Sequence, residues 1–228
     1  MFDWFPVLLS LKVAAVSLVI VFFLGVASAF VMHRWHFPGQ SILEALFMLP
    51  LVLPPVVTGF LLLLLIGKQG PLGYWLHSCF DLQLIFTVYA AILAGVVVAF
   101  PLMYQSTKAA FSRVDHRLED AARTLGASEW RVFFTITLPL AKGGLLSGMV
   151  LSFARALGEF GATIMVAGNI PGRTQTLPLA IYFAAEANDL SKAGAYVLLI
   201  SALTFLLIFG LNRWNKPTGR RASEQGWF

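Results

Sequence analysis

Five apolar runs constrain this chain more than any other feature. They lie at about 7–32, 42–66, 84–107, 142–168 and 193–212. Each is long enough for a helix to cross a hydrocarbon core, which takes about 20 residues. Backbone N–H and C=O groups in lipid must be satisfied within the protein, so the runs predict an all-α integral membrane protein with five transmembrane helices. The mean hydropathy of +0.80 agrees, as does a charged fraction of only 12%. The first run could be misread as a leader, because Ala27-Ser28-Ala29 mimics a cleavage site. No basic residue precedes it, Asp3 does, and the apolar character continues to Met32, so it reads as a retained helix.

The segment 120–139, DAARTLGASEWRVFFTITLP, breaks this apolar pattern, and charged residues crowd into it and just before it. Leu118, Ala121, Ala122 and Leu125 recur at helical spacing and give one apolar stripe on a short amphipathic helix. Glu119 precedes Arg123 by four residues, the favourable order for an ion pair of roughly 0.3 kcal/mol. Gly126 can end that helix in a left-handed conformation, and Ser128 can cap a second short one. Trp130, Phe133 and Phe134 then form a second apolar face before Pro139 stops the run. Two short helices, apolar on one side and charged on the other, suit docking to a soluble partner.

This stretch resembles the EAA loop of ABC-importer permeases: Glu-Ala-Ala, three residues, Gly, nine residues, then Ile-x-Leu-Pro. Asp120, Ala121 and Ala122 stand at its first three positions, and Gly126, Ile136, Leu138 and Pro139 complete it. The one departure is Asp for Glu, which keeps the charge but shortens the arm. Two further segments, FPGQSILEALFMLPLVLPPVVTGFLLLLLIGKQGPLG and FARALGEFGATIMVAGNIPGRTQTLPLAIY, look like the molybdate permeases. Together with the loop they carry the resemblance from about Phe37 to Tyr182. Sulfate permeases share the ARALGEFGA element, so that piece alone indicates a tetrahedral oxyanion. LPLVLPPVV pulls the reading towards molybdate, with tungstate close behind.

Orientation follows from the basic residues. With the 113–140 loop inside, the inner segments hold Arg34, Lys108, Arg113, Arg117, Arg123, Arg131, Lys142, Arg213, Lys216, Arg220 and Arg221, and the outer loops only Lys68, Arg173 and Lys192. Five spans then put the N-terminus outside and the tail 213–228 in the cytoplasm. The pI of about 9.6 reflects these basic loops and requires no nucleic acid partner. The chain reads as one domain, 1–228, with its membrane core at about 7–212.

Several chemistries find no support. Cys79 is alone, so no intrachain disulfide can form, and His33, His36, His77 and His116 are scattered over loops without ligand spacing. There is no G-x-S-x-G elbow. The nearest approach to a phosphate-binding G-x-x-x-x-G-K-[ST] is Gly67-Lys68, where Leu62 occupies the first glycine position. The chain is therefore not expected to be an enzyme, and ATP and magnesium would belong to a separate ATPase subunit.

Three features of the spans are candidates for shaping a path. Pro50, Pro54 and Pro55 deprive the second span of backbone hydrogen bonds, which predicts a kinked, pore-lining helix. Gly144, Gly148 and Ser152, then Ala154, Gly158 and Ala162, give the fourth span a small-residue stripe for close helix packing. Arg155 and Glu159 lie one turn apart near the middle of that span, where a charge costs roughly 2.5–3.5 kcal/mol, so both should face protein or water. They read either as a helix-stabilising pair or as a weak anion waypoint. Between the fourth and fifth spans, Thr176 can cap a short helix opened by Pro178, LPLAIYFAAEA.

The resemblance implies the remaining machinery. The fold would be that of the type I, MetI-like importer permeases in a bacterial cytoplasmic membrane. Its partners would be cytoplasmic ABC ATPase subunits, an extracytoplasmic oxyanion-binding protein and a second permease chain, a twofold homodimer being the simplest closure. The loop would be the coupling helix that sits on the ATPase. Two rival classes remain open. An intramembrane enzyme would need paired Asp, Ser/His or zinc residues within the spans, and none is seen. An ATP-independent carrier would more readily show an inverted repeat and several intramembrane carboxylates, whereas only Glu159 and the marginal Glu44 are present.

Overall fold

The computed structural model describes residues 2–35 and 37–214, and among them every regular element is helical. The first, α1 (Phe5–Arg34), opens where Pro6 fixes the first turn and the Asp3 carboxylate accepts a hydrogen bond from the Phe5 N–H. It is long and apolar enough to cross a membrane, as are α5 (Val88–Phe111), the run Glu129–Leu157 and α11 (Leu190–Trp214). The expected tail beyond residue 214 lies outside the described residues.

The second span is not one kinked helix. It is divided into α2 (Gln40–Val52) and α3 (Pro55–Ile66), whose axes turn by 117°. Pro54 biases Leu53 away from helical backbone and offers no N–H itself, so the chain extends there and restarts at Pro55. Of these three prolines only Pro50 stands inside a helix; Pro54 caps and Pro55 opens α3, where a missing N–H leaves nothing unsatisfied. A short helix, α4 (Pro71–Phe80), follows before α5.

The fourth span also differs from expectation. After α6 (His116–Thr124), helix α7 (Glu129–Val132) runs without interruption through a π turn (Phe133–Thr137) into α8 (Leu138–Leu157). Pro139 therefore does not stop the run. It cannot donate to the Thr135 carbonyl, and the widened turn before it accommodates that loss. The helix ends earlier instead, at Gly158, and α9 (Gly161–Ala167) restarts after Glu159 and Phe160. The final elements are α10 (Leu177–Glu186) and α11. Helix α10 begins where Thr176 and Pro178 predict, but the Thr176 side chain makes no capping bond; the Leu177 N–H donates to Ser10 Oγ of α1 at 2.6 Å.

Helices α1, α5 and α8 form the core, and small residues set their separation. A Cβ at Gly25 would stand 2.8 Å from Met103, and one at Gly95 would stand 2.6 Å from Ser17 Oγ, so α1 and α5 approach closely. Ser17 donates to the Ile92 carbonyl and Ser152 to that of Ala99, which satisfies both hydroxyls in the buried interior. Gly144 and Gly148 of α8 seat against Ala110 and Ser106 of α5. The small-residue stripe is thus a helix-packing seam. Helix α2 lies along α5, with the Phe47 ring edge-on to Phe100 and Tyr104 and with Glu44 paired to Lys108.

Candidate coupling loop and translocation path

The polar loop is built locally. Asp115 accepts from the Arg117 N–H and starts α6, and Ser128 accepts from the Arg131 N–H and starts α7. Between them Gly126 adopts φ +82°, while the Gly126 and Ala127 N–H groups donate back to Arg123 and Ala122. This left-handed turn closes α6 and sets the angle to α7.

Arg123 holds the two short helices together. Its guanidinium reaches Asp120 at 2.7 Å, Glu129 at 2.9 Å and Glu119 at 3.4 Å. Arg34, the last residue of α1, reaches Glu129 at 2.7 Å and ties the loop to the core. Glu119 turns inward, only 6% exposed, and accepts a hydrogen bond from Thr137 at the end of the π turn. Burial pushes the Glu119 carboxyl up, but the Thr137 hydroxyl and the Arg123 guanidinium outweigh burial and hold it below the usual carboxylate range. These residues, with the stacked rings of His33 and His116, wall a polar cavity of about 250 Å³.

The outward side of the loop is apolar. Leu125 is 88% exposed and Leu118 is also exposed, while Trp130 stacks on Phe134 at 6.2 Å and both rings line an apolar groove with Phe22, Phe23 and Val26 of α1. The expected second apolar face is therefore split: Phe133 packs into the core against Phe30 and Phe111. Of the matched motif residues, Asp120, Ala121, Gly126 and Pro139 are exposed, whereas Ala122, Ile136 and Leu138 are half-buried. Asp120 lends its carboxylate to Arg123 within the chain. Glu119 and Thr137 were not legible as partners, because nothing in sequence spacing brings residues 18 apart onto one contact.

The two broken spans meet at their breaks. A Cβ at Gly161 would stand 2.8 Å from Pro55, and one at Gly59 would stand 2.7 Å from the Ala162 backbone. Helices α3 and α9 thus pack with almost no side chain between them. Arg155 and Glu159 flank this junction. The guanidinium of Arg155 donates to Glu159 at 2.6 Å, and the other carboxylate oxygen accepts from the Ala162 N–H at 2.7 Å. Glu159 is 3% exposed, so it serves as a buried cap for α9 as well as an ion-pair partner. Pro54 stands at the break of the other span, beside Pro55, and Pro50 lies one turn before it inside α2.

The chain thus combines a core of long apolar helices, two of its spans broken, with a charged two-helix loop at one end. The chain belongs to the binding-protein-dependent transport system inner membrane component family, whose pattern it matches over residues 22–222. It is 50% identical over 204 residues to the putative molybdenum transport system permease protein YvgM of Bacillus subtilis, covering 90% of each chain. It is 44% identical to the molybdenum transport system permease protein ModB of Escherichia coli K12, covering 93% of each. The sulfate transport system permease protein CysT of the same strain is 35% identical over 86% of this chain and 71% of its own. Among solved structures, the MetNI methionine ABC transporter in inward-facing conformations superposes with a TM-score of 0.68 at 18% identity, covering 92% of each chain. That likeness concerns the fold, which is the MetI-like one expected.

Proposed function

We propose that this chain is the permease subunit of an ATP-driven importer for a tetrahedral oxyanion, and that the anion is molybdate. The observation that carries the reading is the pair of exposed apolar residues on the charged loop, Leu118 and Leu125, with its two short helices tied together by the Arg123 ion-pair cluster. Exposed apolar residues on a fixed, charged platform are what a docking surface requires. Here it would seat on a cytoplasmic ATPase, with Asp120, Ala121, Ala122, Gly126, Ile136, Leu138 and Pro139 forming the coupling element. ATP-driven closure of two ATPase subunits would move this platform, and the Glu119–Thr137 contact and the π turn would pass the motion to α8.

The substrate reading rests on the molybdenum permease relatives, with tungstate or sulfate as the alternative within the family. Selectivity would reside mainly in an extracytoplasmic binding protein. Two copies of the chain, with N-termini outside in a bacterial cytoplasmic membrane, would enclose the path. Pro50, Pro54, Pro55, Arg155 and Glu159 would lie along it, and the geometry favours a structural role for the Arg155–Glu159 pair. The test is ATPase activity of the reconstituted complex with its binding protein, across molybdate, tungstate and sulfate. Molybdate should stimulate most. Stimulation by sulfate alone would overturn the substrate assignment.

A further inference from the structure

The apolar groove beside Trp130 has a volume of about 650 Å³ and runs between α1 and the helix that carries the π turn. Its α1 wall extends from Phe22 to Phe30, about 12 Å at 1.5 Å per residue. Facing that wall stand Trp130 and Phe134, stacked and both more than half exposed. The Phe133 ring, edge-on to Phe30 at 4.6 Å, closes the back. Ala27, one turn along α1 from Phe23, lines the groove with a single exposed methyl group and leaves the space open. The charged groups that line it, Arg34 and Glu129, stand at one end and neutralise each other at 2.7 Å; Trp35 lines the same end.

We propose that this groove holds one acyl chain of a phospholipid from the leaflet on the side of the coupling loop, with the headgroup beside Arg34, Trp35 and Trp130. Phe22, Phe23 and Val26 belong to a span long enough to cross the bilayer, so most of the groove lies at hydrocarbon depth. Its length fits within one leaflet of a core about 30 Å thick. Two indoles and a guanidinium at one end match the depth of the headgroups. The groove is also continuous with the face of α1 that exposes Val19, Ile20, Phe23 and Leu24 to the bilayer. A soluble partner could reach its charged end alone. Its volume over that length is a cross-section of about 50 Å², whereas a helix with its side chains, 10–12 Å across, needs about twice as much. Recognition here is contact between methylenes and aromatic rings, because the ion pair leaves no net charge to attract a headgroup. The proposal holds whichever anion the protein carries.

The test uses the permease–ATPase complex in nanodiscs of phosphatidylethanolamine and phosphatidylglycerol, with a trace of phosphatidylethanolamine bearing a diazirine on its acyl chain. Adducts are mapped by peptide mass spectrometry after irradiation. Residues 22–30 and 130–138 should carry about two- to fivefold more adduct than the exposed face of α11 around Leu198 and Phe205, the excess that a handful of added carbon–carbon contacts gives. Ala27→Trp, which fills the groove from an exposed position, and Phe134→Ala, which removes a wall, should each bring that excess down to the α11 level. Equal labelling of the groove and α11 in the unaltered complex, or an excess that survives either variant, would overturn the proposal. Benzoylphenylalanine in place of Ala27 gives a separate check. Lipid adducts are expected, and a covalent link to the ATPase or to a second permease copy would assign the groove to a protein partner and overturn the lipid site.

Discussion

Gly126 sits at φ +82° with no atom of the chain within 4 Å of where a Cβ would be. The cost of replacing it is therefore backbone strain, about 1–2 kcal/mol, and any steric clash would come from a docked partner. Gly126→Val should leave the permease inserted and folded, yet weaken ATPase capture or uncouple hydrolysis from uptake. Detergent pull-down paired with vesicle uptake measures both, and wild-type values in both would remove the loop from the transmission path. Glu119 provides a second test at this scale. Its carboxyl titrates below the ordinary range, so its stabilising effect is complete above the unfolded value near 4.3 and is lost as pH falls through the lower folded value. The amide protection factors of residues 116–124, taken relative to the intrinsic exchange rate at each pH, should therefore be steady from pH 7 to 5 and fall in acid. Glu119→Gln should flatten that response; an unchanged acid transition would show that other carboxylates control it.

Elements in this protein are shaped by what they must pack against. Helices α3 and α9 meet through Gly59, Gly161 and Ala162, and a side chain added at Gly59 runs into backbone that cannot rotate away. Gly59→Leu should cost about 1–3 kcal/mol and lower the thermal midpoint in detergent. No change would mean that the two half-helices slide freely. The Arg155–Glu159 pair belongs to the same junction. Arg155→Gln leaves the Glu159 carboxylate buried with only the Ala162 N–H for support, at a cost of about 3–5 kcal/mol. Adding Glu159→Gln removes the buried charge while keeping an oxygen to cap α9, so the double variant should recover expression. If it also transports at the wild-type rate, neither charge is needed for anion passage. Sequence spacing anticipated the pair but not the break beside it, because the break depends on the neighbouring half-helix that fills the space.

Across the whole molecule, α1, α5 and α8 carry the core, and the charged loop lies at one end of it with α4 and α10 toward the other. This arrangement and the distribution of Lys and Arg make a single topology prediction. Cys79, exposed on α4, should react in intact cells with a membrane-impermeant maleimide. In a Cys79→Ser background, a thiol at Lys68 should behave likewise, and one at His116 should react only after permeabilisation. External labelling at His116 would invert the protein and take the coupling assignment with it.

The sequence by itself determined whatever depends on neighbours along the chain. Apolar lengths set the spans, Gly126 set the left-handed turn, Ser128 set the cap of α7, and four-residue spacing set the Glu119–Arg123 and Arg155–Glu159 pairs. Tertiary structure decided what depends on helices crossing. It turned the second span by 117°, set the break of α9 against that of α3, and drew Glu119 inward to Thr137. It also opened the apolar groove beside Trp130 by seating Phe133 on Phe30 across the gap that Ala27 leaves. The physical reason is that a hydrogen bond or a turn is chosen within a few residues. Closest approach, burial and cavity shape are set by side chains tens of residues apart, whose spacing carries no period to read.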